Sequence, residues 1–302
     1  RRRALHVLKV GSASQHHPQV FDDLADIVAR GVRVLLVAGG AAGIAEHYQA
    51  IGRPQQILHL RDGREVRHVP ADEVAFLTDS YRQVTLPRIS AALQERGVRS
   101  YATPAGQDRL VVGDPNPPLR AVIDGRARIV RDHRAGTVSA VDTAALADLL
   151  ETFPVVVLSP PIAATDDGPW LNVDADVLAA ELANRMDADH LRLVTGTPGL
   201  LRDPQDPSST ITDLAPGEGY RYAAGRMRQK VRAAELAVTG SADVAIAGPH
   251  RLTPATRVWR SAAPHPQAHL LTQAVEISSV SGDEHELASF LRGWARHRGL
   301  NA

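Results

Sequence analysis

The 302-residue chain balances 34 Lys and Arg against 34 Asp and Glu, carries no cysteine, and is 44% hydrophobic. Balanced charge gives no global signal for nucleic acid. The lack of thiols excludes disulfides, thiolate metal sites and cysteine nucleophiles, and suits a cytoplasmic protein. The longest uncharged apolar run, Val34 to Ala45, has 12 residues and three glycines and is too short to cross a bilayer, so no membrane association is expected.

Taken in order, Leu5 to Val10 reads as a buried strand closed by Gly11-Ser12-Ala13. Phe21, Leu24, Ile27 and Val28 repeat at helical spacing up to Gly31, and Val32 to Val37 is a second strand. The turn Ala38 to Gly43 then opens another helix, so the start of the chain is a β-α-β unit of a parallel sheet. Ala71 to Arg96 is helical, with Pro87 kinking or dividing it. Short runs at Leu110–Val112, Ala121–Ile123 and Ala127–Val130 suggest one β-ribbon insertion turning at Asp124-Gly125.

Helices are expected over Val141–Thr152, Asp176–Arg185, Gly225–Thr239 and Glu284–His297, and strands over Val155–Ser159, Leu191–Val194 and Val244–Ala247. The fold class is therefore α/β: a three-layer αβα sandwich around a mainly parallel central sheet.

Lysine occurs only at Lys9 and Lys230, in a chain that otherwise uses arginine. An ammonium is a compact point charge that a planar guanidinium does not replace. Gly39-Gly40, placed between a strand and a helix, aims backbone N–H groups at an anion, and Gly11 forms a second such turn. Ligands in open α/β sheets bind at this carboxyl edge, which makes phosphate the expected anion. Two plainer readings stand beside this one: a lysine snorkelling from a strand end and glycines that serve only close packing. Neither a Walker A loop nor the protein-kinase motifs are present.

With these residues in place, the chain resembles the amino acid kinase family from about Leu5 to Gly248. VLKVGSA is similar to the family's first-strand turn, VLLVAGGA to its glycine loop, and VRHVPAD to its substrate segment. AGTVSAVDTAALADLL with VVVLSPPI, LNVDADVLAAELA, TGTPGLL and GRMRQKV complete seven matches in family order. The likeness is to the acetylglutamate kinase branch, and within it to kinases of aminoadipate or glutamate borne on a LysW-like amino-group carrier protein.

The resemblance implies ATP-dependent phosphorylation of the side-chain carboxylate of an N-blocked acidic amino acid. Alternatives are an acetylglutamate kinase acting on the free acetylated amino acid and a nucleotide-binding regulatory homologue without turnover. It implies that Lys9 holds the moving phosphoryl group, Lys230 the leaving side, and Asp176 orients both. Gly11, Gly39 and Gly40 would donate N–H bonds to that phosphate, and Thr195 and Gly199 would lie on the nucleotide side. Arg67 and Asn172 would grip the acyl substrate. The lobes would be 1–187 for the acyl substrate and 188–302 for ATP with a C-terminal helical extension.

Mg²⁺ would arrive on ATP, with no dedicated protein metal site. The partners implied are a homodimer and an acidic carrier protein, which Arg126, Arg128, Arg131 and Arg134 would receive if they are more than a solvated face. Ser12, Ala38 and Gly196 depart from the family pattern.

Overall fold

The computed structural model describes residues 3–60, 65–249 and 255–259. β1 (Leu5–Val10), α1 (Pro18–Ala29), β2 (Arg33–Ala38) and α2 (Ala41–Ala50) form the opening β-α-β-α run. β3 (Ile57–Leu60), β4 (Glu65–Arg67), α3 (Val74–Ser80), α4 (Leu86–Gln94) and β5 (Ser100–Pro104) follow. Next come β6 (Val111–Pro115), β7 (Leu119–Ile123), β8 (Arg126–Val130), β9 (Gly136–Val141), α5 (Thr143–Thr152), β10 (Val155–Ser159) and β11 (Ala163–Ala164). The rest of the described chain holds α6 (Ala175–Arg185), β12 (His190–Val194), β13 (Asp213–Leu214), α7 (Gly225–Ala237), β14 (Asp243–Ala247) and β15 (Thr256–Val258).

Eight strands form one sheet in the order β13-β15-β14-β12-β1-β2-β10-β5. Every neighbouring pair is parallel except β14 with β15. Side chains alternate across a strand, and the core divides accordingly. Leu5 and Val7, Leu35 and Val37, and Val156 and Leu158 face the layer of α5, α6 and α7. Leu8 and Val10, Leu36 and Ala38, and Val155 and Val157 face the layer of α1 to α4. Two apolar cores on one doubly covered sheet are the expected three layers.

The expected ribbon is divided differently. Val111 and Val112 pair with β9, and β11 joins β6, in a separate three-stranded sheet. β7 and β8 do form the hairpin, but β3 pairs with β7 and β4 with β3, so a small four-stranded sheet results. The segment at Val141 is strand, not helix, because Asp142 accepts from Ala145 N–H at 2.9 Å and starts α5 there. Pro87 is the second residue of α4, directly after a π-helical turn, and offers no N–H to the carbonyls of that turn. The break falls at Tyr81–Thr85, one π-helical turn, a form that concentrates at functional sites. Among the described residues no helix is long and apolar enough to cross a membrane. The helix expected over Glu284–His297 lies outside the described residues.

Candidate active site

Strand parity aims Lys9. It follows Leu5 and Val7 onto the face covered by α6 and α7, and those two helices supply its partners. Asp176 sits in the first turn of α6, which Asp174 caps by accepting from Asp176 N–H at 2.8 Å and Val177 N–H at 3.2 Å. A carboxylate in that turn meets the positive end of the helix dipole. Lys230 reaches it from α7. Asp176 Oδ1 lies 3.0 Å from Lys9 Nζ and 2.8 Å from Lys230 Nζ.

All three side chains are under one-tenth exposed. Burial alone would raise Asp176, but the two ammonium groups outweigh it and hold the carboxyl below its ordinary range. Burial and the neighbouring Lys9 ammonium push Lys230 down, and Asp176 pulls it back only in part. Two buried cations share one anion, so the cluster keeps an uncompensated positive charge. Buried charge of that kind is costly unless a further anion binds.

The ends of the neighbouring strands surround this charge. Register places Ala38 and Val194 on either side of Val10, so Gly39 and Thr195 flank Gly11. A Cβ on Gly39 would stand 3.2 Å from Gly11 Cα and 3.6 Å from Lys9 Cε, so glycine lets the turns close around the lysine stem. The Gly39 N–H does not face outward as expected: it donates to Val10 O at 2.9 Å and extends the ladder between the two strands.

Gly40, the N-cap of α2, lies under the ring of Tyr81, which a side chain at Gly40 would overlap. Its amide faces the Tyr81 hydroxyl. Ser12 Oγ accepts from Ala42 N–H at 3.0 Å and donates to Gly39 O at 3.3 Å. Ser12 thus satisfies one amide in the first turn of α2. The buried Gln15 amide donates to Gly39 O at 2.7 Å and Val10 O at 3.3 Å, tying both glycine turns together.

The two acyl-side residues reach the cluster by different routes. Arg67 ends β4 and donates to Gln55 Oε1 at 3.0 Å. Burial lowers its pKa, the hydroxyls of Tyr81 and Tyr48 oppose that shift, and it makes no ion pair among the described residues. Tyr81 is pushed up by burial and also feels Asp174, so it links Arg67 to the start of α6. Asn172 holds this start through its backbone: its N–H donates to Arg134 O at 2.8 Å and its carbonyl accepts from Gly136 N–H at 3.0 Å. On the other flank, Thr195 N–H donates to Ala247 O at 2.9 Å, and Thr197 Oγ1 donates to Gly199 O at 2.7 Å. A Cβ at the exposed Gly196 would meet nothing within 4 Å, so the side chain usual there is missing without any packing demand.

The sequence profile of the amino acid kinase family matches residues 4–248. The chain belongs to that family. It is 30% identical over 240 residues to LysW-aminoadipate kinase of Thermus thermophilus, covering 78% of this chain and 89% of the relative. It is 33% identical over 216 residues to an acetylglutamate kinase of a Synechococcus strain, covering 69% and 67%. Solved structures share the fold. N-acetylglutamate synthase of Neisseria gonorrhoeae, complexed with coenzyme A and L-arginine, gives a TM-score of 0.65 at 19% identity, over 93% of this chain and 70% of that one. Carbamate kinase of Giardia lamblia bound to AMP-PNP gives 0.61 at 13%, over 85% and 98%.

Of the residues singled out from sequence, Lys9, Asp176 and Lys230 meet directly, and Gly11, Gly39 and Gly40 frame them. Arg67 joins through Tyr81. Thr195 borders Gly11, whereas Gly199 belongs to a neighbouring turn. Sequence reasoning missed Tyr81 and Gln15. Among the described residues no three His, Asp or Glu side chains gather as a metal site, and the Asp176 carboxylate is already bound by both lysines.

Proposed function

We propose that this amino acid kinase transfers the γ-phosphoryl group of ATP to the side-chain carboxylate of an N-blocked acidic amino acid. A carboxylate oxygen forms the new bond to phosphorus, the bond to the β,γ-bridging oxygen breaks, and ADP leaves with that electron pair. The product is an acyl phosphate. Two anions must be brought together, so fixed positive charge and positioning dominate the barrier. The observation that carries this reading is the triad: Lys9 and Lys230 within 3.0 Å and 2.8 Å of one buried carboxylate.

In this reading Lys9 holds the moving phosphoryl group, Lys230 holds the leaving side, and Asp176 keeps their ammonium groups apart and aligned. Mg²⁺ on the ATP oxygens adds charge neutralisation. Residues 1–187 bind the acyl group and those from 188 onward bind ATP, although one unbroken sheet runs through both because β1 pairs with β12. Arg67 takes the acceptor's carboxylate and Asn172 stands beside it.

For the acceptor we favour an amino acid carried on a small acidic protein. The relative in Thermus thermophilus bears that substrate in its name, and the β7–β8 hairpin offers a basic docking face. Register sets Arg120 opposite Ile129, both exposed, with Arg131 beyond them. Arg126 and Arg128 lie on the hairpin's other face. Arg134 is engaged elsewhere, held at 3.1 Å by Asp166. Similarity to acetylglutamate kinases keeps the free acetylated amino acid as the second reading. ADP release measured with carrier-borne aminoadipate or glutamate, against free acetylglutamate, decides between them. Preference for the free compound overturns carrier dependence, and ATP binding without ADP release from any acceptor overturns the kinase reading.

A further inference from the structure

Where the Lys230 ammonium stands depends on how far α7 is slid along α6. The two helices pack on one another, and much of their buried surface is alanine: Ala179, Ala180 and Ala183 on α6, Ala233, Ala234 and Ala237 on α7. Alanine ridges are shallow, so they interlock weakly and leave that sliding poorly fixed. The axial position is set at two points instead. One is Lys230 itself, donating to Asp176 Oδ1 at 2.8 Å. The other is Asn184, about 12 Å further along α6, where it meets the carboxyl end of α7.

Asn184 Nδ2 donates to Leu236 O at 3.0 Å and to Thr239 Oγ1 at 3.3 Å, and Thr239 Oγ1 donates to the same carbonyl at 2.7 Å. The amide therefore caps α7 from a neighbouring helix. Its Oδ1 is buried without a partner among the described residues, and a side chain at Gly240 would overlap it. An orphaned buried acceptor costs stability, and an apolar residue would fill the space without that cost. What the amide alone supplies is a directed pair of donors. The helix that carries it is anchored independently: Arg185 donates to Ser139 O of β9 at 3.1 Å, and Asp174 caps the other end of α6. Asn184 thus locates α7 against a helix already fixed to the rest of the fold.

We propose that Asn184 is a positioning residue: its hold on the carboxyl end of α7 sets where the Lys230 ammonium stands. The consequence for phosphoryl transfer rests on the kinase reading above, whereas the placement of Lys230 does not. A charged group displaced by about 1 Å from a reacting phosphate is enough to lower turnover about a hundred-fold. The competing assignment is a cap that stabilises the helix and leaves Lys230 where it is.

Because the chain holds two lysines, isotopic labelling of lysine Nζ gives two ammonium signals by NMR, and Lys230→Gln removes one and so assigns it. Asn184→Ala should shift the Lys230 signal of the ligand-free protein. It should also lower kcat about ten- to a hundred-fold with the acceptor KM within about twofold of wild type. In a Lys230→Gln background the same substitution should change kcat less than about twofold, because the residue it acts through is already gone. An equal loss with and without Lys230 overturns the assignment, as does an unshifted Lys230 signal in a variant that only melts at a lower temperature. Thr239→Val, which removes the hydroxyl and keeps the volume, is read the same way if Asn184→Ala does not fold. If the wild type releases no ADP with any acceptor, the kinase reading fails separately and the ammonium signal alone decides the placement.

Discussion

The two ends of strand β1 each carry a cluster of charge, buried at one end and half-exposed at the other, and the clusters are built to opposite rules. At the carboxyl end, Lys9 and Lys230 share Asp176. At the amino end, His190 and Arg192 each lie 3.3 Å from Asp243, while Asp189 accepts from Leu5 N–H at 2.8 Å. His6 packs edge-on to His190 with centroids 4.4 Å apart. There Asp189 and Asp243 stand against Arg192 and Arg257, and burial followed by His190 and Arg192 pushes His6 down to about 4, so it stays neutral. A half-exposed cluster whose acids match its permanent cations braces the fold. One left with spare positive charge beside open strand ends waits for an anion.

The sharpest way to break this comparison is to remove Asp176. Asp176→Ala strands two buried ammonium groups, and thermal or denaturant unfolding should show a loss of about 3–5 kcal/mol together with lost turnover. A fully stable variant would mean that the cluster is not held as described. Replacing either lysine by glutamine leaves the other paired. Stability should fall less, while kcat drops roughly a hundred- to a thousand-fold, the value of one preorganised charge at a reacting phosphate. Turnover within a fewfold of wild type would remove that lysine from the mechanism.

Two smaller effects sharpen the contrast. Tyr81→Phe keeps the ring over Gly40 and removes only the hydroxyl, so kcat/KM for the acceptor should fall by about threefold to thirtyfold while the melting temperature holds. The amino-end cluster should respond to acid instead. His6 binds its proton near pH 4 in the folded chain and at 6.5 when unfolded. Between those values the unfolded state holds more protons, so stability is full above pH 6.5 and declines as pH falls toward 4. Asp243, held at about 2 by its hydrogen bond to His190, adds a further loss below 3.8. Urea titrations across this range should show the decline, and His6→Leu should flatten its upper part without changing turnover at pH 7.5.

The contrast also separates what the sequence discloses from what it conceals. Lys9 and Lys230 stand out because arginine fills the other basic positions, whereas Asp176 is marked only by the resemblance of LNVDADVLAAELA to the family. The strand alternation that sorts Val7 from Leu8 is equally plain, so the layers were legible. The role of an amide was not. Whether Gly39 N–H meets a ligand or Val10 O depends on the register of two strands far apart in sequence. Tyr81 and Gln15 enter only when the chain is folded, one through a π-helical turn and the other through a buried side chain reaching back over its own strand. The strand at Ile57–Leu60 escaped notice because its alternation is short, and it decides that the hairpin belongs to a four-stranded sheet.

Because the three charges of the triad come from an early strand, a middle helix and a late one, none of the site is local. A nascent chain, or a proteolytic product ending before α7, would keep Lys9 and Asp176 as a neutral pair. It would lack the spare charge that draws in a polyphosphate. Partial chains are therefore silent, and a reactive acyl phosphate is made only after the last cation has docked.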